Sequence, residues 1–178
     1  MMGDTTNIVR RLFGMRKEYS VSFYITDFLF RKLFRQNAAV KYPIHFTSTI
    51  HNAKKLKVGK ETFPGDSPNV YINAQNGVTI GDYSNLGPAV GIISANHDFV
   101  DNSQAADAPP IEIGRYCWMG MGAIILPGVR LGDFTIVGAG AVVTKSFPDG
   151  FCVIAGNPAK VIKELNKAEC EAFADSKE

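Results

Sequence analysis

Cysteine and histidine are scarce in this chain, three of each in 178 residues. Cys117, Cys152 and Cys170 form no C-x-x-C pair and no short secreted framework, which excludes a disulfide scaffold and a zinc knot. Cys117 reads instead as a small buried hydrophobe. Long apolar runs are also missing. The most aromatic stretch, around residues 19–36, is broken by Asp27, Arg31, Lys32 and Arg35 far below the length of a bilayer span. Charge of one sign is lacking as well: the formal net is +2, so the total makes no case for nucleic acid. What imbalance exists lies at the front, where residues 1–40 hold seven Lys and Arg against three Asp and Glu. No signal-peptide pattern precedes the first apolar run, and the expectation is a cytoplasmic chain. The length fits one domain with an appendage.

What is present is a period of six. From Ile113 the units read IGRYCW, MGMGAI, ILPGVR, LGDFTI, VGAGAV, VTKSFP, DGFCVI and AGNPAK. Ile113, Met119, Ile125, Leu131, Val137 and Val143 open the first six units. After a break at Asp149, Ala155 and Val161 resume the pattern. The fifth place is small or apolar: Cys117, Ala123, Val129, Thr135, Ala141 and Val153. Two inward residues in six are neither helical nor a simple alternation, and a fixed hexapeptide period indicates a parallel β-helix. Glycine in second place, as at Gly114 and Gly120, relieves a backbone turn where a Cβ would clash. Three units make a triangular coil of about eighteen residues, with coils stacked at roughly 4.8 Å.

Ahead of the repeat, residues 1–18 are polar and basic, with Arg10, Arg11, Arg16 and Lys17, and are expected to be ordered only in part. A helix is expected over residues 19–36, with Val21, Tyr24, Ile25, Phe28 and Leu29 on one face and Phe23, Phe30 and Phe34 on a stripe beside it. Two readings stay open: these stripes cap the first coil, or the helix rests on an anionic membrane at the inner face. Hexads begin at Ile44, Ile50 and Leu56, give way to an irregular segment over 57–79, and return at Ile80, Leu86 and Ile92. After His97 a polar, proline-ended excursion delays the next hexad by fifteen residues, so a loop over 98–110 is extruded from the solenoid. The tail over 164–178 reads as a short charged helix.

His97 occupies the sixth, outward place of its hexad at the foot of that loop, where an imidazole suits removal of a proton from a hydroxyl. Trp118, Ile124, Ile136 and Val142 share the outward place, and such an exposed apolar strip marks an interface.

The motifs NHDF at 96–99, IEIGRYCWMGMGAIILPGVRLGD at 111–133, VGAGAVVTKSFP at 137–148 and AGNPAKVI at 155–162 together resemble the hexapeptide-repeat acyltransferases, in their galactoside, maltose and polysaccharide O-acetyltransferase branch. The resemblance covers roughly residues 44–163. It implies an all-β solenoid, a left-handed parallel β-helix, with an N-terminal helical segment over 1–40, the β-helix over 41–163 and a C-terminal helix over 164–178. It implies acetyl-CoA as cosubstrate and no metal, a homotrimer with the active site between neighbours, and a sugar or polysaccharide-precursor hydroxyl as acceptor. His97 takes the place of the catalytic base. Met121, Ala139, Thr144, Lys145, Lys160 and Lys163 take the coenzyme positions, with lysine at the last two where the family often has arginine and its bidentate fork. Asn73, Asp82 and Trp118 are the acceptor candidates, although Asp82 also reads as a corner residue, and Asp98 is a candidate to assist His97. N-acetylation of an amino sugar or antibiotic is the alternative. A zinc-dependent carbonic anhydrase of the same fold would need three convergent histidines, and His45 and His51 fall on different faces of one coil. A bare scaffold would need only the repeat.

Overall fold

The computed structural model describes residues 15–177; residues 1–14, including Arg10 and Arg11, and Glu178 lie outside the described residues. The chain enters through α1 (Val21–Asp27), N-capped by the Ser20 hydroxyl, and continues directly into a π-helical turn (Phe28–Leu33). The strands follow: β1 (Thr49–His51), β2 (Leu56–Val58), β3 (Tyr71–Asn73), β4 (Val78–Ile80), β5 (Asn85–Leu86), β6 (Gly91–Ile93), β7 (Ile111–Ile113), β8 (Trp118–Met119), β9 (Ile124–Ile125), β10 (Arg130–Leu131), β11 (Thr135–Val137), β12 (Val142–Val143), β13 (Cys152–Ala155) and β14 (Lys160–Glu164). Helix α2 (Lys167–Asp175) ends the described chain, capped by Asn166.

The strands form the three faces of a left-handed parallel β-helix: β1-β3-β6-β9-β12, β2-β4-β7-β10 and β5-β8-β11-β13-β14. Register confirms the coil length. Ile113 lies beside Leu131, Met119 beside Val137 and Ile125 beside Val143, eighteen residues apart each time. All six side chains are buried in one continuous core. Burial of each such side chain stabilises by about 1.5–3 kcal/mol, so the inward column holds the coils together. Ile80 pairs with Ile113, Leu86 with Met119 and Ile92 with Ile125, thirty-three apart, and the fifteen surplus residues are the extruded loop. The second-place glycines answer to the coil above: a Cβ on Gly120 would come within 2.7 Å of the Ala139 nitrogen.

Three expectations need correction. The helical segment is shorter than 19–36, and its apolar stripes are divided: Phe23 and Phe30 pack inward, while Ile25, Phe28, Leu33 and Phe34 face out. Asp27 and Arg31, which interrupt the apolar pattern, are the buried pair, 5% and 8% exposed, whereas Phe28, Leu33 and Phe34 are 62%, 63% and 67% exposed. Arg31 donates to both Asp27 oxygens at 2.7 and 2.6 Å and to the Val40 carbonyl at 3.0 Å, while Asp27 accepts from the Ile44 amide at 3.1 Å. An ionic clamp, together with Phe23 and Phe30, therefore seats the segment on the first coil. The second correction concerns the last coil, which is one residue short. Thr135, Ile136 and Val137 pair with Cys152, Val153 and Ile154, so Cys152 and Ile154 point inward and Val153 outward. The third is that Val161 opens no hexad: β14 turns back antiparallel to β13, wholly exposed, and covers its open edge.

Candidate active site

His97 is exposed just beyond β6, paired in an antiparallel bridge with Ala105 across the neck of the extruded loop. Inside the neck the Asp98 carboxylate accepts from the amides of Val100 and Asp101 at 2.8 and 2.9 Å, bonds that hold it below the usual carboxylate range. Asp98 therefore orders the loop and does not serve His97. Asn73 lies on the same face: it ends β3 beside Ile93, and its carbonyl accepts from the Ser94 amide at 2.9 Å, three residues before His97. Thr144 and Lys145 follow β12 at the same edge of the face, with the ammonium of Lys145 5.6 Å from the Phe147 ring centroid.

The opposite edge of that face gathers a second group. Met121 and Ala139 stand one coil apart at the corner leading into β9 and β12, joined where the Gly140 amide donates to the Met121 carbonyl at 2.8 Å. Both are exposed. Asn157 and Lys160 continue this corner: the Val142 amide donates to the Gly156 carbonyl, the Ala159 amide returns to the Val142 carbonyl, and Lys160 pairs with Ala155. Lys163 stands apart, beside Val153 on the neighbouring face, at the end of the outward column Asn85, Trp118, Ile136, Val153. Ile124 and Val142 lie on the His97 face, so the outward apolar residues form two strips flanking the Met121 corner, not one. The arrangement can receive an extended thioester carrier: small residues and glycines let it approach the backbone, and a cation closes the upper end.

Asp82 belongs to neither group. It lies at the corner between β4 and β5, where its carboxylate accepts from the Lys60 amide at 2.6 Å and its carbonyl from the Tyr116 amide at 2.8 Å. That is the corner role.

A feature missed by the sequence reading adjoins Trp118: a cavity of about 670 Å³. Its floor is a ladder of rings from the fourth hexad place, Tyr83 on Tyr116 at 5.0 Å and Tyr116 on Phe134 at 4.8 Å, near-parallel. Each ring residue has a left-handed backbone, φ about +55°, which throws it out at the corner. The N-terminal segment supplies the opposite wall. Tyr19 donates its hydroxyl to Asp66 at 2.6 Å, and Arg16 meets Glu61 at 2.7 Å while lying over the Phe63 ring. Burial pushes the Asp66 carboxyl up, against the opposing pull of the Tyr19 and Ser67 hydrogen bonds. The recurrence of Tyr, Tyr and Phe at the fourth place was the available signal. His97 is not among the residues lining this cavity.

Cys117 touches the cavity but is buried, and desolvation lifts its thiol to about 12, which removes it as a nucleophile. Among the described residues no three of His, Cys, Asp and Glu gather where a metal ion would bind, and the three histidines lie in separate places. His45 bonds Thr47 and His51 meets the Tyr71 ring.

Known proteins share the repeat and the fold. Residues 110–145 match the bacterial transferase hexapeptide model of six repeats. The Nodulation protein L of Rhizobium leguminosarum bv. viciae is 48% identical over 54 residues, 29% of this chain and 28% of that protein. The match thus spans less than a third of that relative. A maltose O-acetyltransferase from Clostridium difficile 630 superposes with a TM-score of 0.60 at 28% identity, covering 92% of this chain and 86% of its own. A hexapeptide-repeat acetyltransferase of Vibrio cholerae O1 biovar eltor, solved with acetyl coenzyme A, gives 0.62 at 20% identity, covering 93% and 91%, a likeness of fold.

Proposed function

For this chain, a left-handed β-helix of the hexapeptide-repeat acyltransferase type, we propose an acetyl-CoA-dependent O-acetyltransferase acting on a saccharide hydroxyl. The observation that carries the reading is the juxtaposition at Trp118: the Met121–Ala139–Lys160 corner on one side and the ring-floored cavity on the other. The ladder rings are stacked on one another and line the cavity with their edges, the exposed Trp118 ring is the aromatic surface left for a sugar ring, and Asn85 with the carboxylates of Glu61 and Asp66 takes its hydroxyls. Acetyl-CoA supplies the activated acetyl group as a thioester. Met121 and Ala139 present backbone to its pantetheine arm and Lys160 meets its phosphates, whereas Thr144 and Lys145 at the far edge of the face and Lys163 on the neighbouring face stand away from that corner.

His97 lies a face away from the corner within one chain, and the cavity is walled without it. A cyclic homotrimer removes the difficulty by bringing the loop edge of one copy against the Trp118 side of the next, and it covers the outward apolar strips. In that assembly the neighbouring copy's His97 takes the proton of the acceptor hydroxyl as its oxygen attacks the thioester carbonyl. The imidazolium then gives that proton to the departing thiolate, so the base is restored and no acyl-enzyme forms. With its thiol held protonated, Cys117 has no part in the transfer.

The test is thiol release from acetyl-CoA with wild type and His97→Ala across sugars, nucleotide sugars and amino sugars. The wild type is expected to release thiol only with an acceptor, and the variant to be slower by roughly 10²–10⁴. Equal rates in the two proteins would remove His97 from the reaction. A rate confined to amino sugars would replace O- with N-acetylation.

A further inference from the structure

Charge is divided along this solenoid. Residues 15–60 hold ten Lys and Arg against Glu18 and Asp27, whereas residues 61–178 hold seven against fourteen Asp and Glu. The two acids of the basic half are engaged by Arg16 and Arg31. Lys32, Arg35 and Lys41 beside the helical segment, and Lys54, Lys55 and Lys57 on the first coil, are all exposed with no carboxylate of residues 15–60 left to neutralise them.

These two sets of cations occupy one end of the molecule. β1 and β2 are the terminal strands of their sheets, and the chain leaving the helical segment is fastened to the edge of β1. Asn37 bridges the open edge of β1, its amide donating to the Ser48 carbonyl at 2.8 Å and its oxygen accepting from the Ile50 amide at 2.8 Å. Because Asp27 and Arg31 take the inward face, Ile25, Phe28, Leu33 and Phe34 are turned outward at the same end. Beside them a cavity of about 400 Å³ opens between residues 39–42 and the strand β2, walled by Val40, Tyr42, Leu56 and Val58. The segment seats Phe23, Phe30 and the Asp27–Arg31 pair on the coil and leaves a second, apolar face without a partner among the described residues.

We propose that this end of the solenoid docks on the surface of an anionic lipid bilayer. Phe28, Leu33 and Phe34 enter the boundary between headgroups and acyl chains, and the lysines of the first coil face the lipid phosphates. The mixture of groups selects this occupant. Apolar rings flanked by unneutralised cations match an interface that is apolar within and anionic at its rim. A second copy docking on the same face would set these cations against their own kind. The inference is independent of the acetyl-transfer reading, since none of these residues belongs to the site.

The experiment is co-sedimentation of the full chain with vesicles of phosphatidylcholine alone or mixed with phosphatidylglycerol, at low and high salt. Binding is expected to the mixed vesicles only and to weaken as salt screens the cations. Replacing Lys54, Lys55 and Lys57 together by Gln weakens it roughly a hundredfold, at about fivefold per cation. Phe28→Ser with Leu33→Ser abolishes it, while circular dichroism and acceptor-dependent thiol release in solution stay unchanged because the replaced groups are exposed and remote from the site. Failure to bind, or equal binding to neutral vesicles, overturns the proposal. So does a serine pair that changes the oligomeric state on gel filtration, which would make the stripe a contact between copies.

Discussion

Asp27 accepts three hydrogen bonds at the base of α1, two from the Arg31 guanidinium and one from the Ile44 amide. Removing the carboxylate strands a buried cation, whereas removing both partners leaves an apolar gap without one. Asp27→Ala is therefore expected to destabilise by about 3–5 kcal/mol, and Asp27→Leu with Arg31→Met by much less. Urea unfolding of the two variants checks the order, and a single variant as stable as the double would show the pair to be solvated. The same two residues mark where sequence reading fails. Amphipathic periodicity assigns the charged positions outward, because charge is rarely buried, and it carries no record of a guanidinium and carboxylate four residues apart satisfying each other. Asp82 shows the converse: its corner role was already legible in IGDYSN, where a carboxylate at a turn finds an amide one coil below.

At the scale of the element, the hexad predicts the structure wherever each coil repeats the one beneath it. Ile113, Met119 and Ile125 stack under Leu131, Val137 and Val143 because a parallel ladder transmits register from coil to coil. The last coil loses one residue between Val143 and Cys152, and nothing in a six-residue pattern says which place was dropped. The reversal of β14 is illegible for the same reason, since an edge strand is chosen by what remains unpaired. The extruded loop was legible as an insertion, and its internal order was not. Its tip stands clear of the other described residues: Phe99 and Val100 are fully exposed, and the bonds that shape it run among Asp98, Asp101 and Ser103. Joining His97 to Ala105 through an Asn-Gly turn, in place of Asp98–Gln104, should leave the thermal midpoint within about 2 °C, because no core group is removed. Acceptor-dependent thiol release should fall sharply, since the loop that brackets His97 is gone. A large drop in midpoint on calorimetry would instead make the loop part of the fold.

For the whole molecule the decisive fact is separation. One chain has His97 and Asn73 at one edge of a face, the Met121 corner at the other, and the Tyr83–Trp118 cavity around that corner on the next face. The proposed trimer completes each site with His97 from one copy and the cavity from its neighbour, so two differently damaged chains should repair each other. His97→Ala keeps the cavity, and Asn85→Arg, at an exposed position on β5, fills the cavity while keeping His97. Each homotrimer is inactive. In trimers reassembled from equal amounts of both, a site works when a chain with intact His97 precedes one with an open cavity, which random mixing gives at about a quarter of the sites. Recovery of about a quarter of wild-type thiol release on mixing, and none when the proteins are combined without dissociation, is the expected result. No recovery from well-mixed trimers would place His97 and the cavity in one chain, and the loop would then have to fold back across its own face to bring them together.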